Sequence, residues 1–258
     1  MTAASGAGTR RAPEPRGALE ELIRSQEPDV LRGVAASSRL TEELALSLLA
    51  RRDLPHQALV DLSKNAAVMK HRKVLVAVVA HPRTPRHVSL PIARHLYTFE
   101  LMQIALTPAI AADLKMSIEE SLIARLESLS SGERLTLAKR GSTRVAAALL
   151  ADPEERVMHA ALENPYITEP WIVKALLRDD APVPLVHALC RHPKWSLRRD
   201  VQIALLRNDK TPLARAIAFA DNLPSQVLRD VLHHSRLEAN VKISMSELLD
   251  RRERSRRK

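Results

Sequence analysis

Cationic side chains and one indole gather at apolar helix starts in three places: Lys70, His71, Arg72 and Lys73; Arg156 and His159; and Trp195, Arg198, Arg199 and Gln202. Guanidinium and ammonium groups in such positions hold carboxylates or phosphates. An indole beside them adds a flat contact surface. The residues expected to meet a partner are therefore Lys70, Arg72, Lys73, Arg156, His159, Trp195, Arg198, Arg199 and Gln202. Machinery for making or breaking bonds is not visible: no activated nucleophile stands beside a base, and no catalytic residue is assigned. The ten histidines include no His-Glu-x-x-His pattern. His233 and His234 are adjacent and point to different sides of a helix, and His187 and His192 lack supporting carboxylates, so neither a metal nor a cofactor is expected.

The elements that must position these groups are helices. Apolar residues make up 45% of the 258 positions but aromatics only 2%, so Leu, Ala, Val and Ile do the packing. Six glycines are too few for glycine-rich loops or many tight β-turns, whereas sixteen prolines suit helices started by Pro. The single cysteine, Cys190, lies on an apolar helix face in Leu-Val-His-Ala-Leu-Cys and reads as a buried, inert thiol. Residues 1–17 are small, polar and Pro-containing, without the apolar stretch of a secretory signal, and are expected to be disordered. The apolar run 101–112 falls short of the roughly 20 residues needed to span a bilayer and is broken by Pro108. A cytoplasmic protein is expected.

The net charge of +10 is unevenly placed. The basic tail 251–258 carries +5 and residues 1–17 carry +2, which leaves the body, 18–250, only mildly basic at +3. Charge alone therefore points to an acidic protein partner or to nucleic acid without choosing between them.

An internal repeat organises the body. The run Ala66 to Pro85 aligns without gaps to Pro193 to Pro212, matching Val74 with Val201, Ala77 with Ala204, and Thr84-Pro85 with Thr211-Pro212. Residues 152–168 keep a similar pattern, with Val157, Ala160, Ala161, Leu162 and Asn164-Pro165. The turns His81, Asn164 and Asn208 are 83 and 44 residues apart, so a degenerate copy with a period near 42 is expected in the irregular centre, 98–130. Asn164 and Asn208 are expected to stop helices in the left-handed conformation. Thr84 and Thr211 are expected to cap the helices that follow, with Pro85 and Pro212 at their first positions. Asp152 with Glu155, and Ser130 with Glu133, read as capping boxes.

The segments Asp152-Pro-Glu-Glu-Arg-Val157 and His192-Pro-Lys-Trp-Ser-Leu-Arg198 resemble the inter-helix turn of HEAT-type repeats, and the longer runs through Asn164-Pro165 and Asn208 to Pro212 are similar to leucine-rich-repeat variants. The resemblance implies an all-α, right-handed α-solenoid with an irregular centre and disordered termini, whose second helices line a concave face. On that basis the chain is expected to be a non-enzymatic scaffold that binds a protein, one of acidic character, along that face. The alternative is a nucleic-acid-binding α-solenoid related to HEAT-like DNA glycosylases, although so few aromatics are a poor supply for holding a base. Inter-repeat packing is the competing role for Trp195.

Overall fold

Short apolar periods cut by proline give short helices. The computed structural model describes residues 16–234 and 239–256, and the regular structure among them is entirely helical. Of the N-terminal segment expected to be disordered, residues 1–15 lie outside the described residues, while Arg16 and Gly17 already belong to the first helix. The chain divides into two compact units, 1–118 and 119–258.

The first unit contains α1 (Arg16–Ile23), α2 (Pro28–Ala36), α3 (Glu42–Leu49), α4 (His56–Ser63), α5 (Ala66–Met69), α6 (Arg72–Ala80), α7 (Arg86–Ala93) and α8 (Thr98–Ala105), and the division falls within α9 (Ala112–Arg125). The second contains α10 (Ser131–Arg140), α11 (Thr143–Leu149), α12 (Glu155–Leu162), α13 (Glu169–Leu176), α14 (Val183–Arg191), α15 (Arg199–Leu206), α16 (Leu213–Asn222), α17 (Ser225–His234) and α18 (Ala239–Arg256). A short 3-10 turn, Trp195–Leu197, precedes α15.

Within the first unit α2 packs on α4, while α1, α3, α6 and α8 follow one another in a second stack. Within the second unit α10, α12 and α14 form one stack, and α11, α13 and α15 form the other. Leu31, Leu48, Leu59, Leu62 and Val78 fill the space between the stacks of the first unit. Leu137, Leu149, Leu162, Leu189 and Leu205 are among the buried leucines of the second. Each such side chain contributes about 1.5–3 kcal/mol by leaving water.

The two units are built to one plan, displaced by 127 residues. That displacement carries Ala66 onto Pro193, and it also carries α1 onto α11, α2 onto α12, α3 onto α13, α4 onto α14, α6 onto α15, α7 onto α16, α8 onto α17 and α9 onto α18. The short helix α5 meets the 3-10 turn at Trp195–Leu197. Local contacts repeat as well. Arg51 bonds Asp53 in both its Nε and Nη2, and Arg178 does the same to Asp180. Arg83 donates to the Leu54 carbonyl, and Lys210 to that of its counterpart, Ala181. Leu114, Ile118 and Leu122 line the buried side of α9 where Val241, Met245 and Leu249 line that of α18.

This period corrects the one read from turn spacing. Asn164 is the counterpart of Ser37, not of His81, because α12 stacks on α10 while α15 stacks on α13. The 42-residue copy expected in the centre is therefore absent from the described residues; α8 and α9 stand there instead.

The turn residues also work differently from expectation. No described non-glycine residue has a positive φ, so neither Asn164 nor Asn208 is a left-handed stop. Each amide instead reaches across to the helix below it in its stack and satisfies carbonyls that the helix end leaves without partners. Asn164 Nδ2 donates to the carbonyls of Ala138 (2.7 Å) and Gly141 (3.1 Å), while its Oδ1 accepts from the Tyr166 amide at 2.7 Å. Asn208 donates to Leu176 and accepts from Lys210, and Asn65 donates to Ala35 and Ser37 and accepts from Ala67. His81 uses Nε2 to reach the Arg51 carbonyl (2.8 Å) and Nδ1 to accept from Arg83, which assigns the neutral Nε2–H tautomer. These buried side chains act as latches between successive layers.

Thr84 and Thr211 do not cap the following helices either. Their hydroxyls donate backward, to Val78 (2.5 Å) and Leu205 (2.6 Å), and the N-cap positions fall to Pro85 and Pro212. Asp152 forms no capping box with Glu155; its Oδ1 accepts from the Glu154 amide and its Oδ2 lies 2.9 Å from Arg134 Nε, an ion pair rather than an aligned hydrogen bond. The box at Ser130 and Glu133 is present, and Thr41 caps α3. The basic end does not form a separate tail at 251, because α18 runs on to Arg256 and Arg252 caps α16 by donating to the Leu223, Ala220 and Asp221 carbonyls.

Candidate functional site

The residues expected to meet a partner divide by unit. Lys70, Arg72 and Lys73 belong to the first, and Lys70 and Lys73 are exposed. Arg72 is already engaged. Its Nε donates to Glu100 Oε1 at 3.1 Å, its Nη2 pairs with the other carboxylate oxygen, and its guanidinium lies 3.6 Å from the centre of the Tyr97 ring. The hydrogen bonds from Arg72 hold the Glu100 carboxyl below its ordinary range and raise Arg72 in turn.

In the second unit the expected ridge is split. Arg156 and His159 are exposed on α12, and Arg198, Arg199 and Gln202 belong to the start of α15, which lies in the other stack. Two of the expected contact residues are not on the surface. Trp195 is 3% exposed, and its indole Nε1 donates to the Leu162 carbonyl at 3.0 Å, making it one more latch onto the end of α12. Gln202 is buried and donates to the Ser196 carbonyl at 2.8 Å. Their charged neighbours in the sequence point to the ridge, yet both side chains face inward and close the turn between the 3-10 segment and α15.

Arg198 and Arg199 remain exposed, and neither guanidinium has a partner among the described residues. Between Trp195 and Arg198 stands Leu197, 76% exposed, which the composition of this stretch did not single out. Lys194 lies over the outer face of the Trp195 ring at 4.0 Å. The result is a cationic surface around one bare leucine, mounted on a buried indole.

Two grooves open on the second unit, one along each stack. Between α12 and α14 a groove of about 470 Å³ is lined by His159, His187 and Arg191 together with Glu155 and Glu163. His192, buried at its edge, accepts from the Lys194 amide through Nδ1, and its Nε2 lies 3.0 Å from Glu163 without an aligned hydrogen bond. Among the described residues no group of His, Cys, Asp or Glu is arranged to hold a metal ion. Between α13 and α15 a larger groove of about 730 Å³ has an apolar floor that includes Val173, Ile203 and Ala204. Leu177, half exposed, forms part of its wall. That groove escaped the sequence reading, and the signal that finds it is the 127-residue displacement, under which Leu177 stands at the position of Ala50.

Cys190 is buried, and burial pushes its thiol up to about 11, against the lowering influence of Arg215 and Arg191. No described helix is long and apolar enough to cross a membrane. No family model, curated protein or solved structure matches this chain.

Proposed function

We propose that the chain is a short right-handed α-solenoid of HEAT-like repeats that acts as a non-enzymatic interaction module, and that its second unit holds an acidic segment of a protein partner at Arg198, Arg199 and Leu197. The stacking of alternate helices within each unit, with a side-chain latch from one layer to the next, supports the solenoid reading. Because Lys70, Arg72 and Lys73 belong to the other unit, the proposal rests on the second unit alone.

One observation carries it. Arg72 and Arg199 are counterparts, but Arg72 is held by Glu100 and Tyr97, whereas the corresponding positions in the second unit are Val227 and Pro224. The second copy has thus given up the carboxylate and the ring that occupy the arginine of the first, and it carries an exposed leucine where the first has Lys70. Free guanidinium groups beside an apolar anchor suit recognition of a carboxylate-bearing segment, where Arg pairs are directional and the leucine supplies burial.

A second reading, nucleic-acid binding of the kind seen in HEAT-like DNA glycosylases, draws on the net charge of +10. It is disfavoured at this surface by the inward-facing Trp195, which is not offered to a base. The two readings separate in one titration. A labelled peptide of alternating Glu and Leu, a labelled DNA duplex and a labelled single strand are each added to the full chain and to the double variant Arg198→Glu/Arg199→Glu. Peptide binding that falls at least ~10-fold in the variant is expected. Equal peptide binding by both proteins overturns the proposal, and salt-steep DNA binding that the double variant abolishes favours the second reading.

A further inference from the structure

We infer that the groove between α13 and α15 is a docking site for an amphipathic helix of a partner protein, laid antiparallel to both helices with its acidic first turn toward Lys174 and Arg207. The inference rests on the interaction-module reading but concerns a different surface from Arg198 and Arg199.

The groove is electrically polarised along its length. Asn208, which follows the C-cap Arg207 of α15, donates to the carbonyl of Leu176, the last residue of α13, so the C-terminal ends of the two helices lie together. Both helices are eight residues long, and their packing places the N-terminal ends together as well. At that N-terminal end the lining carries Glu169 and Asp200, and toward the other end it carries Lys174 and Arg207. The charge of Arg178 is offset by its bidentate bond to Asp180. Val173, Leu177 and Ile203 supply the apolar surface between the charges.

Charges placed this way also complement the dipoles of α13 and α15 themselves, so polarity by itself would not call for a ligand. The first unit separates the two explanations. The same pair of helices, α3 and α6, folds there with Ser47 in place of Lys174, Ala80 in place of Arg207, Lys73 in place of Asp200 and Ala50 in place of Leu177. The fold therefore needs neither the polarity nor the exposed leucine. The second unit carries a large half-exposed apolar side chain and a charge reversal at this groove, features that the first unit folds without, although Lys174 also lies over the Trp171 ring at 5.0 Å.

Helices themselves carry acids in the first turn and bases in the last, because that order suits their own dipole. Such a helix matches this groove in one direction only, with its acidic start over Lys174 and Arg207 and its basic end over Glu169 and Asp200. Its apolar stripe, at spacings of three and four residues, then lies on Val173, Leu177 and Ile203. The eight-residue walls are about 12 Å long at 1.5 Å per residue, which sets the occupant at two to three turns.

The test is selection of a displayed library of helix-forming peptides against the full chain, followed by anisotropy measurements with the selected peptides. The expected peptides carry apolar residues at helical spacing, acids first and bases last. Their affinity should fall at least ~10-fold on Leu177→Ala, a change whose product the first unit already accommodates at Ala50, and on Arg207→Glu. Exchanging the acidic and basic ends of a selected peptide should weaken it comparably. Tryptophan fluorescence of each variant on unfolding checks that the second unit still folds. Peptides indifferent to Leu177 and Arg207, peptides with no preference for charge order, or no selected peptide at all overturn the inference. Binding lost only in Arg198→Glu/Arg199→Glu overturns the groove and leaves the proposed function standing, whereas binding lost only on Leu177→Ala and Arg207→Glu supports the groove, and the proposed function then stands or falls by its own titration.

Discussion

Replacing Asn164 with alanine tests whether the side-chain latches hold the layers together. Asn164 is 2% exposed and makes three hydrogen bonds, two of them to carbonyls at the end of α10 that its own stack must satisfy. A typical hydrogen bond contributes about 1 kcal/mol net, but a buried acceptor left without a partner costs about 1–3 kcal/mol. Losing all three bonds, with two carbonyls stranded, should therefore cost roughly 3 kcal/mol against a typical domain stability of about 5–15 kcal/mol. Both tryptophans, Trp171 and Trp195, lie in the second unit, so intrinsic fluorescence during urea unfolding reports on that unit. Asn164→Ala should lower its melting temperature by about 10 °C or more. Asn164→Ser should fall between the variant and the parent, because the counterpart Ser37 makes the turn bond, accepting from the Arg39 amide, while a serine is too short for the reach across layers. Asn222→Ala is the control: it removes an exposed bond to the Ala218 carbonyl within its own helix and should change little. If Asn164→Ala and Asn164→Ser melt together, or both lie within about 1 kcal/mol of the parent, the latches do not bind the layers and the account of the turns is wrong.

Three further outcomes are expected. Burial is the main cause that lowers the His81 pKa from its ordinary value of 6.5, opposed by its bond to Arg51, so the stability His81 contributes is complete above pH 6.5 and is lost as pH falls through the folded value. Hydrogen exchange of α3 and α6 amides should accelerate as pH is lowered below about 6.5, beyond the intrinsic pH effect, and His81→Asn, the residue found at the counterpart Asn208, should remove that part of the slope; an unchanged slope would count against the neutral latch. Cys190, with its thiol raised to about 11 by burial, should resist a disulfide reagent at neutral pH and react only on unfolding; rapid labelling of the folded chain would contradict its placement. Gly141→Ala should destabilise the second unit by about 1–3 kcal/mol, since a Cβ there would stand 2.5 Å from the Leu137 carbonyl oxygen, whereas Gly132→Ala meets nothing and should be neutral or stabilising in the same fluorescence assay.

The all-helical class was legible because it rests on composition: few glycines and aromatics, many prolines and many aliphatics leave little else to build with. The larger plan was legible only in part. The ungapped match of Ala66–Pro85 to Pro193–Pro212 already contained the 127-residue displacement, but few identities extend it; Arg51 with Arg178, Asp53 with Asp180, and Leu96 with Leu223 are scattered among positions that share only apolar character. Asn164 was then matched to the wrong turn for a physical reason. Every helix end leaves carbonyls to satisfy, so both stacks place an Asn or a His after their helices, and the same residue type marks two positions that are not equivalent.

The candidate site was harder still, because a residue's type says what it can bind and not whether it is already bound. Arg72 and Arg199 look alike in sequence, and the difference lies 28 residues further on, where Glu100 meets the first and Val227 stands in its place for the second. The duplication turns this weakness into a method. Two copies of one fold that stand in one chain separate what both need from what is particular to one: a feature found in one copy either holds that copy together, as the Asn164 and Trp195 latches do, or leaves its groups without a partner inside it. The Arg51–Asp53 and Arg178–Asp180 pairs occur in both and are structural. The unpaired Arg199, the bare Leu197 and the charge pattern of the groove beneath Leu177 belong to the second copy and are of the latter kind, which is why the proposed binding is placed there.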